Sequence, residues 1–173
     1  MRTTLDRRAL TLARFLIVTL VLALSALSCV SVKMPFGPVP KATQAHVQKP
    51  AGAFVTMASN VADEAWISQK TGNTLSYLSE CKETDESPKQ IALDTAQAIE
   101  NSKVLDISSG TIDSYPSAEV LVSGRVDSQK VKMAIAVFKT SQCTFSITYG
   151  GLENQFDAEW SEFVTFKKGF KAP

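Results

Sequence analysis

Chemistry in this chain of 173 residues has few groups to come from. It holds one histidine, His46, and three cysteines, Cys29, Cys81 and Cys143. A Ser-His-Asp or Cys-His relay needs an imidazole beside its nucleophile. His46 sits between Pro40 and Pro50 with no Cys, Asp or Glu near it, and it reads as a solvated side chain. Histidine-dependent catalysis inside the folded part is excluded on that ground. The acidic run Glu80, Glu83, Asp85 and Glu86 lacks the alternating carboxylates and central glycine of a calcium loop, so it reads as a solvated loop. No Gly-rich phosphate loop, no His-Glu-x-x-His pair and no Cys-x-x-Cys is present. The expectation is a protein that is not an enzyme, with no cofactor and no metal site.

Two short strings invite another reading. Ser79-Glu80-Cys81-Lys82 fits S-x-x-K, and Lys70-Thr71-Gly72 fits the K-T-G of penicillin-binding enzymes. That chemistry needs the serine at the start of a buried helix and the K-T-G on a later strand. Here the order is reversed, the serine falls in a strand pattern and the K-T-G in a turn. The match is a coincidence of short strings.

The three cysteines differ in setting. Cys29 closes an apolar run, residues 15–27, that starts straight after Arg14, with Arg2, Arg7 and Arg8 upstream. At about 1.5 Å rise per residue this run spans about 20 Å, short of a bilayer core of about 30 Å. It suits the apolar region of a secretory signal peptide. Ala26-Leu27-Ser28-Cys29 resembles the lipobox of bacterial lipoproteins, departing from it at Ala26, where Leu is commonest. The resemblance implies that the Cys29 thiol takes a diacylglycerol and becomes the first residue of the mature chain. Because Val30 follows instead of Asp, it also implies the outer membrane, with the domain facing the periplasm. At about 0.8 kcal/mol per buried methylene, two or three acyl chains anchor stably where one does not.

Lipidation of Cys29 leaves Cys81 and Cys143 as an even pair in a compartment where disulfides persist. Cys81 ends one strand pattern and Cys143 begins another. A bridge at one edge of the sheet is expected, with the Cα atoms within about 7 Å. Two separate buried thiols are the alternative.

Residues 1–28 carry four Arg and one Asp, so without them the formal charge goes from +1 to −2. A near-neutral chain offers no basic stripe for nucleic acid or anionic lipid. Residues 29–52 contain Pro35, Pro38, Pro40 and Pro50 without hydrophobic periodicity, and read as a flexible tether. Residues 53–173 are long enough for one domain with a real core.

Within that domain, residues 53–58, 65–69 and 74–81 have strand composition, with a turn at Lys70-Thr71-Gly72-Asn73. Ser87-Pro88 with Gln90 is a capping box. It starts a helix that is expected to run to about Asn101, with Ile91, Thr95, Ala98 and Ile99 on its inner face. Residues 104–108 and 111–115 read as two short strands around Ser109-Gly110. Residues 119–126 and 131–138 follow, joined at Asp127-Ser128-Gln129. The second of these is apolar on both faces, the pattern of a strand covered on both sides. Residues 144–149 form a last strand, which Gly150-Gly151 breaks. Phe156, Trp160, Phe163, Val164 and Phe170 then recur at helical spacing and dock a terminal helix on the sheet.

The order of hairpin, helix, meander and aromatic-rich terminal helix resembles the PsbP-like α/β/α sandwich of extrinsic photosystem II subunits. Residues 121–170 carry most of the likeness. The resemblance implies an accessory or binding role and supplies no catalytic residues. The fold class expected is α+β: a mainly antiparallel sheet of six or seven strands with one mid-chain and one C-terminal helix packed on it. The function expected is a lipid-anchored periplasmic protein with a non-enzymatic role, binding a protein partner in an envelope complex. The alternative is a carrier of a small apolar ligand or lipid. Such a ligand would sit between sheet and last helix, facing Phe156 and Trp160, in a dry pocket of several hundred Å³.

Overall fold

The structure is a computed structural model that describes residues 39–42 and 45–173. The segment expected to be a signal peptide, with Cys29, lies outside the described residues. The elements follow in the order β1 (Phe54–Thr56), β2 (Glu64–Ser68), β3 (Thr74–Glu80), α1 (Pro88–Gln97), β4 (Glu100–Ile112), β5 (Tyr115–Val126), β6 (Gln129–Lys139), β7 (Thr144–Leu152) and α2 (Trp160–Gly169). A 3-10 turn, Phe156–Glu159, leads into α2.

The strands form one antiparallel sheet in the order β1-β2-β3-β7-β6-β5-β4. The first three strands make a meander. α1 then carries the chain over one face to the far edge, and β4 to β7 return strand by strand until β7 pairs with β3. After β7 the chain crosses the other face as α2. An α/β/α sandwich is the result.

Two of the return turns are two-residue hairpins, Asp113-Ser114 (φ 48° and 71°) and Asp127-Ser128 (φ 47° and 68°). Positive φ at both central residues supplies the twist that paired strands require. The division expected at Ser109-Gly110 does not occur. β4 runs unbroken from Glu100 to Ile112, with Gly110 opposite Ser117 in regular register. Gly150-Gly151 do not break β7 either. Gly151 answers a different need, because a Cβ there would meet Asn73 Oδ1 at 1.8 Å.

α1 starts where its cap dictates, with Ser87 Oγ accepting from Gln90 N at 3.2 Å. The box is only half closed, since Gln90 Nε2 donates to Asp94 Oδ1 at 2.7 Å instead. The helix stops at Gln97, short of Asn101, and its inner face is Ala92 and Ala96, where Ile91, Thr95 and Ala98 had been expected. Small side chains let the helix lie directly on Val120, Val122, Ile135 and Val137. Ile99 is buried as expected, beyond the helix end, and Gly124 makes room for it: a Cβ there would be 2.5 Å from Ile99 Cγ2. β6 is an interior strand covered on both faces, with Ile135 and Val137 in the core under α1 and Ala134, Ala136 and Phe138 in the core under α2.

The segment expected to be a free tether is tied to the folded domain at several of its described residues. Cys81 N donates to Pro40 O at 2.8 Å, and Ala42 N to Ser79 Oγ at 2.8 Å. His46 and Lys171 exchange backbone bonds of 2.9 and 3.0 Å, while the His46 side chain stays exposed. Ala51 N reaches Glu162 Oε2 at 3.0 Å. Ala42, Ala45 and Val47 pack against the α2-side core. The described residues from Val39 onward belong to one compact unit, which therefore takes in residues well before Ala53. Proline-rich backbone needs partners for its remaining N–H groups, and strand ends and the C-terminal tail provide them.

Candidate functional site

Glu80 and Thr144 form the last pair of the β3–β7 ladder, so Cys81 and Cys143 occupy the next opposed positions. They are joined as a disulfide, with Cα atoms 3.9 Å apart. Cys29 lies outside the described residues.

Phe156 and Trp160 serve the core. Phe156 is 2 % exposed and its ring centroid lies 5.0 Å from that of Tyr149. Trp160 is half-buried and contacts Tyr149, Phe156 and Phe163. Phe163, Phe166 and Phe170 complete the buried face of α2, with Phe166 in place of the expected Val164. Around Phe156 and Trp160, rings fill the space between the last helix and the sheet, where the apolar-ligand pocket had been expected. The clefts described below touch neither Phe156 nor Trp160.

The polar groups that resembled catalytic strings hold the fold. Ser79 is fully buried on β3 and donates to Asp63 Oδ2 at 2.5 Å, and Asp63 Oδ1 pairs with Lys41 at 3.0 Å. Lys70-Thr71-Gly72 is a turn, with Gly72 at φ 76°. Its Thr71 donates to Glu159 Oε2 at 2.5 Å, and Ser68 Oγ donates to Glu159 Oε1 at 2.7 Å. The buried Asn73 Nδ2 donates to Tyr149 Oη and to Gln155 O, both at 2.9 Å. Tyr149 in turn donates to Phe156 O at 2.7 Å. Asn73 Oδ1 has no partner. Burial, helped by the charge of Glu159, pushes the Tyr149 phenol up to about 12. Burial, then Glu64 and Asp63, does the same for Tyr77. Both are neutral phenols at pH 7, unsuited to act as bases.

The acidic loop does not converge. Among the described residues no group of three His, Cys, Asp or Glu is placed to hold a metal ion. Lys139 Nζ donates to the carbonyls of Thr84 and Glu86, which folds the loop back over the sheet end.

What the fold leaves unused lies beside α1. That helix sits over β5 and β6. On the same face, β3 and β7 stay open between α1 and the loop of residues 57–62. The space is a cleft of about 540 Å³. Its floor is Thr74, Ser76, Ser146 and Thr148, with Ser76 directly opposite Thr148 and Leu78 opposite Ser146. Its rim carries Met57, Val61 and Ile91. Thr74 Oγ1 donates to Gly150 O at 3.3 Å. No hydrogen bond within the described residues uses the hydroxyls of Ser76, Ser146 and Thr148. Glu80 is the one ionisable residue lining the cleft. Sequence reading passed over these residues because a strand's second face of Ser and Thr looks like a solvent face. The signal was that Thr74-x-Ser76 and Ser146-x-Thr148 fall on neighbouring strands.

A second cleft, of about 430 Å³, lies on the opposite face between α2 and the β4–β5 hairpin, and includes the Glu119–Lys167 ion pair. β4 is the open edge of the sheet, exposed from Glu100 to Thr111. Two register shifts and Lys103 distort and charge its first half, as edge strands commonly do to discourage further pairing.

No family model matches this chain, and no curated protein does either. Solved structures are similar in fold. LpqN of Mycobacterium tuberculosis, involved in cell envelope biogenesis, superposes with a TM-score of 0.63 at 9% identity, over 78% of this chain and 86% of its own. The cyanobacterial PsbP of Synechocystis sp. PCC 6803 gives 0.50 at 11% identity, over 82% of this chain and 99% of its own. A Pseudomonas aeruginosa protein of unknown function, a putative regulator, gives 0.51 at 10% identity, over 81% and 88%. At such identities the likeness is one of architecture: this chain has the PsbP-like α/β/α fold.

Proposed function

We propose that this protein is held to an envelope membrane by lipid on Cys29, at the periplasmic face of the outer membrane, and works there by binding rather than by catalysis. Its role is that of an accessory to another envelope protein. The anchor half rests on the sequence at residues 15–29. No described helix is long and apolar enough to cross a membrane, and in this reading attachment runs through Cys29. That LpqN, involved in cell envelope biogenesis, shares the architecture supports the compartment.

The cleft beside α1 carries the binding half. It is concave, is lined by apolar groups and by hydroxyls of which the fold leaves Ser76, Ser146 and Thr148 unused, and has no imidazole beside any hydroxyl. A photo-reactive amino acid placed at Val61, on the cleft rim, tests this in intact cells. A discrete protein adduct is expected from Val61 and not from Glu153 in the β7–α2 connection. Adducts of equal yield from both positions, or from neither, contradict the reading.

A further inference from the structure

A sheet face left without a helix is ordinarily solvated by charged side chains. The floor of the cleft beside α1 is different. Ser76 and Thr148 are directly opposed, with Cβ atoms of such pairs about 4.5–5.5 Å apart. Ser146 lies two residues along β7, about 6.6 Å away. Each hydroxyl can donate and accept, and none has a partner among the described residues. Together they can meet the hydroxyls of one small polyol.

The walls have the opposite chemistry. Val61 is 67 % exposed and Met57 38 %, with Leu78 and Ile91 half-buried across from them. An unbranched thioether adapts to the shape of what it covers. No lysine or arginine lines the cleft, and Glu80 at its margin repels anions. The volume falls within the range of small-molecule sites.

We propose that this cleft binds a small uncharged amphiphile, with a hydroxylated head on Ser76, Ser146 and Thr148 and a short apolar tail against Met57, Val61 and Leu78. The proposal rests on the reading of this cleft as a binding site and adds a small ligand on its floor, below the rim at which the protein partner is met.

The test uses the full chain labelled with 13C at its methionine methyls. Met57 reports on the rim and Met133, packed beneath α1, reports on the core. Three probes are titrated separately: octyl glucoside below its micelle concentration, glucose, and octyl sulfate. Octyl glucoside should shift the Met57 signal saturably and leave Met133 in place. Octyl sulfate should bind at least tenfold more weakly, and glucose should cause no shift over the same range. Ser76→Ala and Val61→Ser should each weaken octyl glucoside at least threefold. Both positions are at least partly exposed, so the melting temperatures should not change. No saturable Met57 shift, equal binding of octyl sulfate, equal binding of glucose, or unaffected variants each overturn the proposal. A protein adduct at Val61 without any Met57 shift removes this inference and leaves the binding reading standing.

Discussion

Asn73 shows how a single side chain ties the sheet to the terminal helix. Its amide bridges Tyr149 and Gln155, so the β2–β3 turn is locked to the chain that enters α2. Tyr149→Phe keeps the ring but removes an acceptor from Asn73 and a donor from Phe156 O. A loss of about 1–3 kcal/mol in urea unfolding at pH 7 is expected. The same phenol gives a pH signature. Its folded value, near 12, is raised above the usual 10, so its contribution is present below pH 10 and is lost as pH rises towards 12. Wild-type stability should fall over that window, and less steeply in Tyr149→Phe, where Tyr77 remains. Gly151→Ala should also destabilise, by about 1–3 kcal/mol, since the new Cβ would displace Asn73. The sequence showed this glycine but not its reason. A pair of glycines reads as a strand break unless one knows which side chain lies across the sheet.

At the scale of elements, the aromatic stripe of α2 was legible because rings at helical spacing have few other uses. Its depth was not legible, since spacing alone does not tell a helix's first turn from its middle. Phe163→Ala should cost about 3–5 kcal/mol, and Trp160→Ala, at the half-buried start of the helix, less than half of that in the same denaturation assay. α1 was placed by its cap, but its inner face was misread. Ile91 and Thr95 were expected where their neighbours Ala92 and Ala96 are buried, because close approach to the sheet selects alanine. The β4–β5 turn was missed because Gly110 drew attention from Asp113-Ser114, the same dipeptide that was recognised at Asp127-Ser128. Asp113 has a second task at that turn, pairing with Lys171 at 2.8 Å and accepting from Ala172 N at 3.0 Å. The Lys171 hydrogen bond chiefly holds its carboxyl below the usual 3.8. The resulting stability is therefore present above pH 3.8 and is lost as pH falls through the lower folded value. Asp113→Asn should lower the melting temperature at pH 6, and the difference from wild type should shrink below pH 3.8.

Over the whole molecule, the order of elements was enough to bring the architecture to mind, because a helix after three strands must carry the chain across one face. What stayed hidden was the cleft, which exists only where two distant strands meet and where α1 is too narrow to cover them. The extent of the domain was also hidden, because a proline-rich stretch shows no periodicity even when it is pinned. The disulfide closes the long excursion through α1 and the meander, with its cysteines 62 residues apart in sequence. Cys81→Ser with Cys143→Ser should cost up to about 4 kcal/mol, read as a lower denaturation midpoint.

The central claim is that this domain works while held at a membrane by lipid on Cys29, and labelled palmitate tests it most directly. Cells producing the wild-type chain should incorporate label into it, and the labelled chain should sediment with membranes through high-salt washing. The Cys29→Ser chain should carry no label and should leave the membrane fraction or keep its signal peptide. A wild-type chain that takes up no palmitate contradicts the account.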